Sequence, residues 1–238
     1  MSEAPAHLVG ILGGVGPAAT VYFEQRLVER TDADRDQDHV RTLVFNDASI
    51  PDRTAFILGE SDVSPVGPLR ACAQTLERCG CDVLALPCNT AHYFFDDIQA
   101  AVDVPIVNMV RATMEHLAHT GHRRVGVLGT IGTMQVDIFG REGAHWGVDC
   151  VYPSLPVQQR VNAIIYDEVK AGRPTDPAAL DELADLFADE GCTALILGCT
   201  ELSFAFGSDA AHHRIAVVDP LEVLVEAVIT HAERPLRG

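Results

Sequence analysis

One stretch occurs twice in this chain, and that repetition narrows the folds open to it. Gly80-Cys81-Asp82-Val83-Leu84-Ala85-Leu86-Pro87-Cys88-Asn89-Thr90 returns as Gly191-Cys192-Thr193-Ala194-Leu195-Ile196-Leu197-Gly198-Cys199-Thr200-Glu201. Each copy is a short apolar run opened by Gly-Cys and closed by a cysteine and small polar residues. Such a run, bounded by turn residues, reads as a buried parallel strand. Its second cysteine then stands at the carboxyl end of the strand, where open α/β sheets place their ligands. A second pair of similar stretches precedes the first: His7-Leu8-Val9-Gly10-Ile11-Leu12-Gly13 and Arg124-Val125-Gly126-Val127-Leu128-Gly129-Thr130. Gly10 precedes Cys88 by nearly the same distance as Gly126 precedes Cys199. The chain therefore reads as two similar α/β halves, each offering one thiol at a strand end. If the halves face each other, the thiols face each other across a cleft.

Composition excludes several functions. The 238 residues carry a formal net charge of −17, which argues against nucleic acid and anionic membrane surfaces as partners. No apolar run is long enough to span a membrane. Met1 to His7 lacks the basic and apolar regions of a signal peptide, so a cytoplasmic location is expected. Seven cysteines, an odd number, then read as reduced thiols, not as a disulfide framework. Cys72, Cys79 and Cys150 read as ordinary small, buried or half-buried residues. Cys81 and Cys88 would be roughly 23 Å apart on one extended strand and cannot share a metal; nor can Cys192 and Cys199. No metal is expected. Lys170 is the only lysine; every other fixed cation is arginine.

In chain order, Leu8 to Leu12 predicts a strand, Gly13 to Pro17 a tight turn, and Ala18 to Arg30 a helix with Pro17 near its first position. Gly14-x-Gly16-x-x-Ala19 matches a dinucleotide fingerprint formally, but a glycine turn at a helix N-terminus also presents N–H groups to a carboxylate. Thr31 to His39 reads as a loop. Arg41 to Phe45 predicts a strand ending in a polar segment with Asp47, Asp52 and Arg53; Arg53 is either a functional cation or a surface partner of one of those aspartates. Val66 to Arg78 is helical, as is the stretch from His92 to about Val102. Pro105 to Asn108 is a strand and Val110 to Thr120 a helix. In the second half, Val125 to Leu128 is a strand, and Thr130, Gly132 and Thr133 occupy the turn that glycines fill in the first. Gln158 to Ala171 is a helix carrying Lys170. Pro177 to Glu190 is an acidic amphipathic helix, Ile215 to Asp219 a strand and Leu221 to His231 the last helix. The expected architecture is α/β: two pseudo-symmetric domains, each a mostly parallel central sheet flanked by helices, with the active site in the cleft between them. Each half ends in a strand and a helix, and that helix can cross to the other half. The expected domains are residues 1–106 with 214–238, and residues 107–213.

Two facing thiols without a metal cluster suit inversion of a stereocentre. One base removes a proton from one face of the carbon and the other returns a proton to the opposite face. Cysteine suits both roles because its pKa of roughly 8.5 can be tuned by its neighbours. The candidate tuning groups are Asn89, Thr90 and His92 on one side, and Thr200 and Glu201 on the other. A single nucleophilic cysteine would instead need a histidine partner, and His92 follows Cys88 by four residues. His92 as a capping or core residue, and both cysteines as structural, are the bland alternatives.

Gly10-Ile11-Leu12-Gly13-Gly14-Val15-Gly16-Pro17, Ile50-Pro51-Asp52-Arg53-Thr54, Leu86-Pro87-Cys88-Asn89-Thr90-Ala91-His92 and Leu197-Gly198-Cys199-Thr200-Glu201 together resemble the aspartate racemase branch of the aspartate/glutamate racemase superfamily. The resemblance covers roughly residues 7 to 233. It implies a cofactor-independent two-base racemase of acidic amino acids, built as a homodimer. It implies Cys88 and Cys199 as the acid/base pair, with Cys199 serving the L enantiomer and Cys88 the D. It implies Arg53 and Lys170 as carboxylate ligands, supported by Gly14, Asn89, Thr90, Thr130, Thr133, Thr200 and Glu201. Ile131, between Thr130 and Gly132, leaves open whether aspartate, glutamate or another acid is the substrate. The competing readings are a diverged cysteine-dependent isomerase or lyase acting on a small carboxylate, an NAD-dependent oxidoreductase using the glycine turn, a pyridoxal enzyme using Lys170, and a binding protein without turnover.

Overall fold

The computed structural model describes residues 7–206 and 213–237. The leader expectation and the outer domain limits thus fall partly outside the described residues. Two four-stranded parallel sheets form the frame. In the first half, strand β1 (Leu8–Gly13) leads to helix α1 (Pro17–Arg30), then β2 (Arg41–Asn46), α2 (Arg53–Ile57) and α3 (Val66–Arg78). Strand β3 (Val83–Ala85), α4 (Phe95–Gln99), β4 (Ile106–Val107) and α5 (Met109–His119) follow. The second half repeats the plan with β5 (Arg124–Gly129), α6 (Ile131–Val136), α7 (Ile138–Trp146), β6 (Asp149–Val151) and α8 (Leu155–Asn162). It closes with α9 (Ala178–Asp189), β7 (Ala194–Gly198), α10 (Thr200–Phe206), β8 (Ala216–Val218) and α11 (Pro220–His231). The sheet orders, β2-β1-β3-β4 and β6-β5-β7-β8, are the same order written twice.

The repeat is a repeat of contacts as well as of sequence. Gly10 lies opposite Leu84 in the β1–β3 register, and Gly126 opposite Leu195 in β5–β7. A Cβ on Gly10 would fall 2.5 Å from the Leu84 side chain, and one on Gly126 would fall 2.4 Å from Phe187. Both glycines are present because a neighbouring side chain lies over the strand where a methyl would stand.

Each sheet is covered on both faces, so its central strands are apolar throughout. Leu69, Cys72, Leu76 and Ile98 cover one face of the first sheet. The other face is covered by α1, through Phe23 and Leu27, and by α11, through Leu221, Leu224, Val225, Val228 and Ile229. The second sheet is covered by α9 on one face and by Val110, Met114 and Leu117 of α5 on the other. The helix after β4 therefore packs on the second sheet, and the helix after β8 packs on the first. Each such side chain, fully buried, contributes about 1.5–3 kcal/mol relative to exposure, so these crossed helices bind the halves together.

The structure departs from the sequence reading at three places near the sheet ends. Thr130 to Thr133 is not an open turn: Thr130 caps α6, accepting from the Thr133 N–H, and Thr133 lies inside the helix. The helix carrying Lys170 changes pitch, running as α-helix to Asn162 and as π-helix over Ala163–Val169. Cys81 and Cys88 flank β3 and are not part of it, because Pro87 cannot supply a ladder N–H. No described helix is long and apolar enough to cross a membrane.

Candidate active site

Both repeated strands stop a short way before a cysteine. β3 ends at Ala85, and the chain then turns through Leu86-Pro87 to Cys88, whose N–H donates to the Leu86 carbonyl at 2.8 Å. β7 ends at Gly198, immediately before Cys199. Both thiols are buried, and they line the same narrow cavity between the two halves, with a volume of about 20 Å³. From the first half the cavity takes Val15, Asp52, Arg53, Thr54, Asn89 and Thr90. From the second it takes Thr130, Tyr166, Lys170, Thr200 and Glu201.

Arg53 starts α2 and is only 8% exposed. Its Nη1 donates to the carbonyls of Ile50 (3.3 Å) and Pro51 (3.0 Å), which pin the guanidinium in place. The aspartates that could have neutralised it are engaged elsewhere. Asp52 caps α2 by accepting from the Ala55 N–H, and Asp47 accepts from Ser49. The Arg53 Nε is buried without a partner, as are both polar atoms of the Asn89 amide. A buried polar atom left unpaired costs about 1–3 kcal/mol, so this cluster of two donors and an acceptor beside a cavity points to a ligand that completes it.

In the second half, Glu201 joins two of the candidate residues. Its carboxylate receives the Lys170 Nζ at 2.6 Å on one oxygen and the Cys199 thiol at 2.9 Å on the other. Burial pushes the Cys199 thiol well above its ordinary range; the Glu201 charge and hydrogen bond add to this, and Lys170 opposes it. Cys199 is thus held protonated. Burial pulls Lys170 down, but Glu201 and the two thiols outweigh it, and the ammonium is retained. A lysine held in this way is not the neutral amine that a Schiff base requires. The close approach of α1 needs Gly16, whose φ is +117° and whose Cβ would stand 3.0 Å from Glu201 Oε1.

A cluster of threonines closes the cavity between the halves. Thr54 Oγ1 donates to Thr130 Oγ1 at 3.2 Å. Thr90 meets Thr130 at 3.2 Å and Thr133 at 2.9 Å, and Thr130 meets Thr133 at 3.1 Å.

Other candidates stand differently. His92 is buried with both ring nitrogens occupied: Nδ1 lies 2.8 Å from the Cys88 carbonyl, and Nε2 accepts from the Met109 N–H at 3.0 Å. The acceptor role of Nε2 puts the ring proton on Nδ1. Burial lowers the pKa to about 4, so His92 is a neutral strut beneath Cys88 with no free nitrogen to act as base for its thiol. Gly14 does not line the cavity; its N–H donates to Thr20 Oγ1 at 3.1 Å within the glycine turn. Thr133 lies behind Thr90, also outside the cavity lining. Sequence reasoning had overlooked Asp52, Thr54 and Tyr166 as cavity residues. The spacing of Tyr166 and Lys170, four residues apart on one helix, was the available signal. Among the described residues no three His, Cys, Asp or Glu side chains gather as metal ligands do.

Comparison with known proteins places nearly the whole chain in one family. Residues 12–228 match the family model described as Asp/Glu/Hydantoin racemase. The chain is 25% identical over 227 residues to a broad specificity amino-acid racemase of Bacillus subtilis, covering 94% of this chain and 97% of that one. An aspartate racemase of Picrophilus torridus superposes with a TM-score of 0.84 at 30% identity, covering 97% of this chain and 96% of that one. An aspartate racemase homologue from Pyrococcus horikoshii superposes with a TM-score of 0.77 at 26% identity, covering 94% and 98%.

Proposed function

Because this chain belongs to the Asp/Glu/Hydantoin racemase family and is on that ground an amino-acid racemase, an isomerase, we propose that it interconverts the L and D forms of aspartate or glutamate with Cys88 and Cys199 as its two bases. The observation that carries the proposal is the single cavity lined by both thiols together with Arg53 and Lys170. A dicarboxylic amino acid brings two carboxylates. Arg53 can clamp one bidentately, and the Lys170 ammonium adds a point charge for the other.

The chemistry is one proton transfer and its mirror image. A thiolate on one face takes the α-proton, becoming a thiol, and its electron pair stays on the α-carbon beside the carboxylate. The thiol on the other face returns a proton to that carbon and becomes the thiolate. Charge that develops on the carboxylate during the first step is stabilised by the cations already aimed at it. Burial, with Glu201, keeps Cys199 protonated at rest, so Cys199 stands ready as the acid, the arrangement for a D substrate.

A chiral assay against a panel of L and D amino acids, run in D₂O without added cofactor, tests this. Inversion of an acidic amino acid, with deuterium entering at the α-carbon, is the expected result. Because the equilibrium constant of a racemase is one, any variant must lose kcat/KM equally in both directions, so inversion alone does not assign sides. Wash-in without inversion does. Cys88→Ala is expected to lose inversion by about 100-fold or more yet still exchange the α-proton of the enantiomer that Cys199 serves. Full racemisation by either Cys→Ala variant sinks the two-base scheme. One observation favours a wider substrate range: Lys170 is already paired with Glu201, leaving Arg53 as the unneutralised cation of the lining. Turnover of neutral amino acids in the panel would support that reading.

A further inference from the structure

The threonine cluster has a direction, and the direction follows from counting hydrogens. A hydroxyl oxygen donates once and accepts at most twice. Thr130 Oγ1 accepts from the Thr54 hydroxyl and from the Thr133 N–H, both at 3.2 Å, so its acceptor capacity is filled. Thr133 is 1% exposed, and its hydroxyl contacts are Thr130 and Thr90. With Thr130 filled, the Thr133 hydrogen has Thr90 as its acceptor, 2.9 Å away. The Thr90 hydrogen then has no acceptor in the cluster, since Thr130 is filled and Thr133 is already donating to it. Thr90 lines the cavity beside Cys88, and its hydrogen is left for whatever oxygen enters there.

We propose that Thr54 is a positioning residue that acts through Thr130 to hold the Thr90 hydroxyl as a hydrogen-bond donor toward a substrate carboxylate. Removing the Thr54 hydroxyl frees a lone pair on Thr130, and Thr90, 3.2 Å from it, can then turn its hydrogen inward. The carboxylate loses a donor it did not touch directly. The network joins the halves as it does so: Thr54 and Thr90 belong to the first and Thr130 and Thr133 to the second. Tyr166, on the π-helical turn, lines the same cavity from the second half. The device works only when the halves are closed on each other, so it couples closure to recognition of an anionic oxygen.

This inference rests on the racemase reading of the site, and the test separates the two. Steady-state racemisation of the preferred acidic substrate is measured for the parent, Thr54→Val, Thr54→Ser, Thr90→Val and the double variant Thr54→Val/Thr90→Val. Thr54→Val, isosteric but without the donor, is expected to raise KM about tenfold with a smaller change in kcat, the size of one hydrogen bond to a charged group. Thr54→Ser restores the donor and is expected to bring KM back to within about threefold of the parent. In the Thr90→Val background, Thr54→Val is expected to add little, because the group it acts through is gone. An unchanged KM in Thr54→Val, failure of serine to rescue it, or a full additional loss in the double variant overturns the proposal. Thr54→Ala replaces Thr54→Val in the same cycle should valine not fold. A parent enzyme that inverts no amino acid overturns the racemase reading instead.

Discussion

At the scale of single residues, Glu201 ties the Cys199 thiol to Lys170. Its carboxylate is shared between Lys170 and Cys199, and the burial, charge and hydrogen bond acting on Cys199 all raise its pKa. Glu201→Gln removes the charge and weakens the acceptor, so the Cys199 pKa is expected to fall. Lys170→Met removes a charge that opposes the shift, so the same thiol is expected to rise. Thiolate absorbance, titrated in a Cys88→Ser background and differenced against Cys88→Ser/Cys199→Ser, isolates Cys199 from the other thiols. Glu201→Gln is also expected to slow turnover about tenfold or more, because the Cys199 thiol and the Lys170 ammonium both lose the carboxylate that holds them in place. If the two substitutions move the titration in the same direction, Glu201 and Lys170 do not oppose each other at this thiol, and the account of the resting state fails.

At the scale of elements, the same position in the two halves is filled differently. Asn108 caps α5 and Asp219 caps α11, each accepting from a backbone N–H of its own first turn. Asp219 is buried, accepts also from Ser203 Oγ at 2.7 Å, and leaves Oδ2 without a partner. Burial raises its pKa from 3.8 to about 7 against those two hydrogen bonds. An acid raised in the folded state binds its proton more tightly there than in the unfolded chain. Stability is therefore full below about pH 4 and is lost as pH rises through about 7, by a few kcal/mol. Asp219→Asn keeps the cap oxygen and cannot ionise, as Asn108 does in the other half. Its melting temperature is expected to exceed the parent's by several degrees at pH 8, by less at pH 5, and to match it below about pH 4. A parallel pH dependence in both proteins would show that Asp219 does not carry it. The repeat made much of this frame legible. Val66 to Arg78 has apolar positions at helical spacing, and its bounds are those the pattern predicts. The paired strands at Gly10 and Gly126 and the thiols after β3 and β7 also stand where the repeated segments put them. What escaped was set by neighbours distant in sequence. β6 is a three-residue edge strand with one exposed and two half-buried residues, too short for alternation to show. α6 has Thr, Gly and Ile where good helix formers would signal a helix, and its cap closes only through Thr130. Tyr166 reaches the cavity from a π-helical turn, and an α-helical periodicity does not reveal that pitch.

At the scale of the whole molecule, the site and the surface have opposite tendencies. The chain carries a net charge of −17, and an acidic amino acid approaching it is repelled before it meets Arg53 and Lys170. The repulsion acts through solvent over distances comparable to the Debye length, about 10 Å at 0.1 M salt, and is screened as salt is added. The attraction acts inside a cavity where Arg53 is 8% exposed, and it is screened far less. Most enzymes that bind anions lose affinity as salt rises, because the steering charge is cationic and exposed. Here the exposed charge is of the wrong sign for the substrate, so the sign of the salt effect reverses. Raising sodium chloride from about 20 to about 200 mM is expected to lower KM for an acidic amino acid by about twofold, and to leave KM for any neutral amino acid it accepts nearly unchanged. If KM for the acid rises instead, the dominant field at the cavity mouth is that of the two cations. The acidic surface is then too distant or too diffuse to oppose entry, and the pocket charges govern approach as well as binding.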